Sequence, residues 1–337
     1  MFQSCGAAHH AGTAGKSRDR GTDMGLARAA VNLLLREAAR RPFEGSIVTL
    51  GRQHVYVTVD EVRAMATRHG VQLQPVPEEL HREPHLAAQR YLSDDCLLRM
   101  LGFQQIVRVD YSDYEAPDAI LDLNSTETPD ALRGAFDLVL DSGTIEHVFD
   151  IAAALRHCCR MAKPGGRVVH LTPSSNCVEH GFHNVSPTLF ADFYSASHFE
   201  INCVYLCRIP LDLPRGPWQV YDYFGSPQRF IPMGMLDDHI WFTFSVTTAS
   251  DHSVPVTPQQ WIYVNSWWQS AAQKASGDLG SPAGEPSDSR AGRLLHRLRG
   301  SEFMTGLARG LIRQWRQLVN WSRTRSRTVP YPHIGQF

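Results

Sequence analysis

The sequence predicts an α/β fold: a mostly parallel sheet covered on both faces by helices, with a helical extension on the C-terminal side. Three observations carry that expectation. The run from Phe136 to Val148 reads as a buried strand ending in a polar turn, and Lys163 to Val169 reads as a helix stop feeding another buried strand. One helix-length segment, Ile151 to Met161, lies between them, which makes a strand–helix–strand unit. Short apolar runs then alternate with helical-period segments over most of the chain, as parallel sheets require.

The elements follow in order. Leu26 to Arg40 has Ala30, Leu33, Leu34 and Ala38 at helical spacing. Ser46 to Val59 is β-like through Ile47, Val48, Leu50, Val55, Val57 and Val59. Val62 to His69 suits a helix, and the three prolines of residues 71–90 argue for an irregular connection. Tyr91 to Leu101 reads as a helix stopped by Gly102. Strands are expected at Gln105–Val109, Ala119–Leu123, Asp137–Leu140, Arg167–Leu171, Ile201–Ile209 and Ile240–Thr247. Ser186 to Ser197 is a helix with proline in its first turn, where the missing N–H costs nothing. The aromatic, Pro/Gly-punctuated segment 211–238 is long enough to be a functional lid.

Composition narrows the class. The 337 residues are 43% apolar, enough for a large core, and carry a net charge of −1, so the molecule as a whole is not an electrostatic binder of nucleic acid. The seven cysteines are odd in number and none has CxxC spacing, which disfavours a disulfide scaffold or zinc knuckle and fits a reducing cytoplasm. No apolar stretch approaches the ~20 residues of a membrane helix, and no secretory signal is expected. The organisation expected is a disordered arm over 1–22, an α/β domain over 23–268, a linker over 269–289 and a basic tail over 290–337. Ten arginines and one acid fall between Ser289 and Thr328, with Leu307, Leu311, Trp315 and Leu318 on one helical face. Such a helix is either simply solvated, or docks on an anionic membrane surface, or docks on an acidic partner. Nucleic acid is the poorer fit, because aromatic platforms are not interleaved with the basic residues.

Four spellings, in order, carry a resemblance to a known family. They are Gln105-Ile106-Val107-Arg108-Val109-Asp110-Tyr111-Ser112, Ala119-Ile120-Leu121-Asp122-Leu123-Asn124, Phe136 to Val148 with its Glu146-His147-Val148 turn, and Ala162-Lys163-Pro164-Gly165-Gly166. Together they resemble class I S-adenosylmethionine-dependent methyltransferases, which implies a Rossmann-like seven-stranded sheet with the cofactor across its carboxyl edge. The loop His180 to Pro187 is similar to one in a bacterial small-molecule and glycan-modifying branch. The resemblance implies that Asp110, followed by Tyr111, holds the ribose hydroxyls. It also implies that Asp122 and Leu123 border the adenine, and that Asp141, Ser142 and Gly143 border the cofactor and the transferred methyl. Two adjacent hydroxyls suit one carboxylate because it offers several lone pairs.

The first motif of that family, an acid followed by a glycine-rich turn, is degenerate here: Thr49-Leu50-Gly51-Arg52-Gln53-His54 keeps one glycine and loses the acid. Gly51 is still expected at the cofactor, with Gln53 or a residue of the 60–103 insert taking over the methionine end. His147 is the first acid/base candidate by type, and His183 or His180 of the following loop the next. Of a longer E-x-x-E-H metal spelling only Glu146 and His147 remain, so no metal is expected. The reading is a cytoplasmic enzyme that moves a methyl group to a hydroxyl or amine of a small molecule or glycan. Its rivals are an inactive relative serving as a scaffold, supported by the degenerate turn, and a dinucleotide-binding enzyme, opposed by the missing GxGxxG.

Overall fold

A computed structural model describes residues 25–178, 180–210, 216–224, 239–265 and 333–337. Fifteen helices and strands follow in chain order: α1 Arg28–Arg40, β1 Gly45–Leu50, α2 Val59–His69, α3 Pro84–Ala87, α4 Asp94–Leu101, β2 Phe103–Asp110, β3 Ala119–Ile120, β4 Phe136–Ser142, α5 Ile151–Met161, β5 Ala162–Ser175, α6 Pro187–Ala196, β6 Phe199–Pro210, β7 Gln219–Asp222, β8 His239–Ala249 and β9 His333–Gln336. They build one sheet of order β3-β2-β1-β4-β5-β8-β6-β7-β9. Pairings from β3 through β5 are parallel, and β8 lies antiparallel between β5 and β6.

Alternation along the central strands shows why both faces are covered. Ile47, Leu138, Leu140 and Val169 enter the core formed with α1, α2 and α4, whereas Val48, Val139 and Val168 enter the core formed with α5 and α6. Neighbouring residues of a strand point to opposite faces, so near-continuous apolar runs mark strands buried on both sides. Helix starts are set locally. Thr58 and Glu61 make a reciprocal capping box on α2, Ser93 caps α4, Asp150 caps α5, and Ser186 caps α6 ahead of Pro187.

Several expectations change. The sheet has nine strands among the described residues rather than seven. The expected lid segment contributes β7, which pairs with β6, and the last residues return as β9 on β7 rather than continuing a helical tail. The β-like run 46–59 ends at Leu50, and beyond it Val55 makes only an isolated bridge to Leu26. The expected arm, linker and arginine-rich helix lie outside the described residues. Among those described, no helix is long and apolar enough to cross a membrane.

One packing detail makes a measurable pH effect. His157 of α5 is fully buried, with Nε2 2.8 Å from the Ser125 carbonyl and Nδ1 2.7 Å from the Thr128 hydroxyl. The partners assign the neutral ring with hydrogen on Nε2, and burial holds its pKa below the usual imidazole value. The unfolded chain therefore binds the extra proton first as pH falls below ~6.5, and stability drops by up to about 1.4 kcal/mol per pH unit until the folded pKa is reached. Urea unfolding at pH 7.5 and 5.5 should show this loss, and His157→Gln should flatten it.

Candidate active site

The strand order reverses between β1 and β4, since β1 is flanked by β2 on one side and β4 on the other. The crevice outside the carboxyl ends of such strands is where open α/β sheets bind ligands. Three chain segments meet there. Gly51 leaves β1 with φ +71°, a left-handed conformation suited to glycine, and a Cβ on it would lie 3.7 Å from Asp110 Oδ2 and 3.6 Å from Thr144 Oγ1. Asp110 closes β2, half-buried, with Oδ1 accepting from the Ser112 amide at 3.2 Å. Thr144 follows β4 and donates through Oγ1 to the Leu50 carbonyl at 2.7 Å, which ties the β4 turn to the end of β1. A Cβ there would make only ordinary contacts with both, so it is the left-handed φ that calls for glycine beside the Asp110 carboxylate.

Other expected cofactor residues are placed differently. Asp141 is fully buried: Oδ2 is 2.8 Å from His170 Nδ1, and Oδ1 accepts from the Thr144 and Ile145 amides. It braces the turn from inside. Gln53 is buried, and its Nε2 donates to the Leu50 carbonyl at 3.0 Å, so the amide props the turn instead of reaching outward. Leu123 belongs to the core shared with α5. Asp122 is exposed and its Oδ1 accepts from the Asn124 amide at 2.9 Å, a local turn contact. Tyr111 is exposed beside Asp110, and Gly143, with φ +85°, is partly exposed. Ser142 is buried, and its Oγ makes no hydrogen bond. Thr49, at the position where the resemblance implies an acid, is buried and donates to the Gly51 carbonyl at 2.7 Å.

Arg52 occupies the far side of the β1 turn. Its guanidinium bonds the carbonyls of Glu115 and Ala116 and stands 3.3 Å from Asp94. Asp94 also receives Arg108 of β2 at 2.8 Å, and Arg108 reaches Asp95 at 2.7 Å. The insert between β1 and β2 is therefore anchored to the turn through the start of α4.

The turn after β4 meets the loop after β5. His183 donates its amide to the Glu146 carbonyl at 3.1 Å, and a Cβ on Gly181 would lie 2.8 Å from that same carbonyl oxygen, so only glycine lets the loop pass so close. His183 Nε2 is 3.2 Å from the Phe149 carbonyl, which assigns its proton there and leaves Nδ1 an acceptor. His147 is exposed and meets His180 edge-on at 4.9 Å between ring centroids. Desolvation and the neighbouring His180 hold its pKa below the usual value, so it is neutral near pH 7. Glu146 is fully buried, and neither carboxylate oxygen makes a hydrogen bond. Thr144, which closes the expected Asp141–Thr144 turn, and His180, the other loop histidine expected near the pocket, both stand at this edge. Phe149 and Phe182, both largely exposed, stand edge-to-face at 5.6 Å on its rim.

With this geometry in place, residues 58–222 match the family model of a methyltransferase domain. The match starts after Gly51 and ends with β7. No curated protein matches the chain. Among solved structures, the chain is similar to Burkholderia thailandensis 1,6-didemethyltoxoflavin-N1-methyltransferase with bound 1,6-didemethyltoxoflavin and S-adenosylhomocysteine, at 10% identity over 66% of this chain and 78% of that one, TM-score 0.31. It is also similar to the YcgJ protein of Bacillus subtilis, at 10% identity over 66% and 98%, TM-score 0.33. The sheet of order β3-β2-β1-β4-β5-β8-β6 is of the Rossmann-like α/β type, and the segment that matches the methyltransferase-domain model runs through strands β2 to β7.

Proposed function

We propose that this chain is an S-adenosylmethionine-dependent methyltransferase acting on a hydroxyl or amine of a small molecule or glycan. The observation that carries the reading is the strand-end carboxylate of Asp110 beside the side-chain-free Gly51, at the crevice where the strand order reverses. S-adenosylmethionine would supply an electrophilic methyl group on a sulfonium and leave as the thioether. Asp110 would accept hydrogen bonds from the two ribose hydroxyls, and the Ser142 hydroxyl, buried without a partner, suits a polar ligand at the end of β4. The imidazoles of His147 and His183 are the groups that would take the acceptor's proton. The enzyme's main contribution is alignment of the two reactants. Phe149 and Phe182 offer exposed ring faces and edges against which a flat or sugar-like acceptor packs.

Calorimetric titration with S-adenosylmethionine and S-adenosylhomocysteine tests this. Saturable binding is expected, with Asp110→Ala weakening it at least about tenfold, since hydrogen bonds to a charged group contribute ~1.5–3 kcal/mol. No binding at millimolar ligand would overturn the reading. It would favour the scaffold alternative, which the buried Thr49 and the Arg52 bridge across the turn support.

A further inference from the structure

We infer that Glu146, His147 and His180 form a binding site for a divalent transition metal of the zinc class. One ligand atom from each lies within 4.8 Å of the others. Glu146 and His147 are neighbours in the turn after β4, whereas His180 arrives from the loop after β5. The independent observation is Glu146 itself: a fully buried carboxylate whose two oxygens make no hydrogen bond and whose nearest charged partner is the His180 ring, although a buried carboxylate needs hydrogen bonds or a cation to offset its desolvation. His180 Nε2 also makes no hydrogen bond and stands 3.6 Å from Glu146 Oε1. The two atoms face each other at a distance beyond that of a hydrogen bond.

The chemistry of the set is specific. Two imidazoles and one carboxylate are the three-ligand set that zinc takes when a further position stays open. Bonds of ~2.0–2.1 Å would bring tetrahedral ligand atoms to roughly 3.3 Å from one another, close to the Glu146–His180 separation. His147, packed edge-on against His180, presents the third ligand atom of the same cluster. The loop is held in place by the His183 amide on the Glu146 carbonyl and by the close passage of Gly181. Resting on the methyltransferase reading, the open position would take the acceptor oxygen and ease loss of its proton, leaving His183 Nδ1 as the proton acceptor.

The test uses the full chain without a polyhistidine tag, stripped of metal, titrated with Zn2+ against a chromophoric chelator and with Co2+ by visible absorption. One Zn2+ per chain is expected, with Co2+ bands of a low-coordinate site. Glu146→Gln and His180→Ala should each weaken Zn2+ binding at least about tenfold and abolish those bands. Circular dichroism melting establishes that each variant is folded, and His180 lies on a loop outside the core. Absence of stoichiometric binding would overturn the site, as would binding that both variants retain, because the chain has sixteen histidines. S-adenosylhomocysteine titrated into the same metal-free samples separates this result from the methyltransferase reading, since either ligand can bind while the other fails.

Discussion

Asp141→Ala should destabilise the protein by about 3–5 kcal/mol, the range expected when one member of a buried charged network is removed. Asp141 sits at the end of a chain of donors that runs through the core beneath the site. Burial keeps the Tyr194 phenol protonated, so its hydroxyl donates to His170 Nε2 at 2.7 Å. His170 then donates from Nδ1 to Asp141 Oδ2 at 2.8 Å. The other carboxylate oxygen receives the amides of Thr144 and Ile145. Alanine would leave the imidazole N–H and two backbone N–H groups without partners in a region closed to water. Asp141→Asn keeps an oxygen for the two amides and should lose about 1–2 kcal/mol. Urea unfolding of both variants checks the order, and equal midpoints for alanine and wild type would refute the argument. The same substitution reaches function through geometry. Thr144 is tied to the Leu50 carbonyl, so loosening the Gly143–His147 turn should also weaken S-adenosylhomocysteine binding under conditions where the variant is still folded.

That network also marks where sequence reading succeeded and where it stopped. The strand from Phe136 and the turn after it were legible, because a continuous apolar run ending in polar residues has few other interpretations. So were the place of Asp110 at the end of a strand and that of Gly51 in the turn after β1. The direction of each side chain was not legible. Asp141, Ser142 and Gly143 all close the same strand, yet register turns Asp141 inward to His170, a residue that reads only as strand interior. Leu123 and Asp122 differ in the same way, one turned to the core and one to solvent. His180 was seen as a loop histidine near the pocket, but its approach to Glu146 depends on Gly181, and a close backbone passage leaves no periodic signal. Strand β7 was hidden because it is only four residues long and one of its two partners, β9, comes from a distant part of the chain. Short edge strands are defined by pairing more than by local propensity.

A second buried charge pair, at the opposite edge of the sheet, should separate stability from ligand binding. Arg167 opens the buried part of β5, and its Nη1 lies 3.1 Å from Glu37 Oε1 of α1, with both side chains almost wholly buried. Nη1 also donates to the Arg41 carbonyl, Nη2 donates to that of Pro42, and the guanidinium lies 4.2 Å from the Phe43 ring centroid. One planar cation thus fastens α1, the connection to β1 and β5 together, a task a lysine point charge cannot perform. Arg167→Leu should cost about 3–5 kcal/mol, because Glu37 would remain charged in the interior with Arg40, at 3.5 Å and partly exposed, as its remaining partner. Adding Glu37→Leu removes that stranded charge and should recover most of the loss. About 1–2 kcal/mol would persist, because the Arg41 and Pro42 carbonyls lose their donors. A double-mutant cycle by urea unfolding measures the coupling, and simple additivity of the two single changes would show that the pair does not act as a unit. This edge is remote from Asp110 and Gly51, so S-adenosylhomocysteine affinity of the folded double variant should match wild type. A parallel fall in affinity would show instead that α1 and β5 transmit strain to the carboxyl edge.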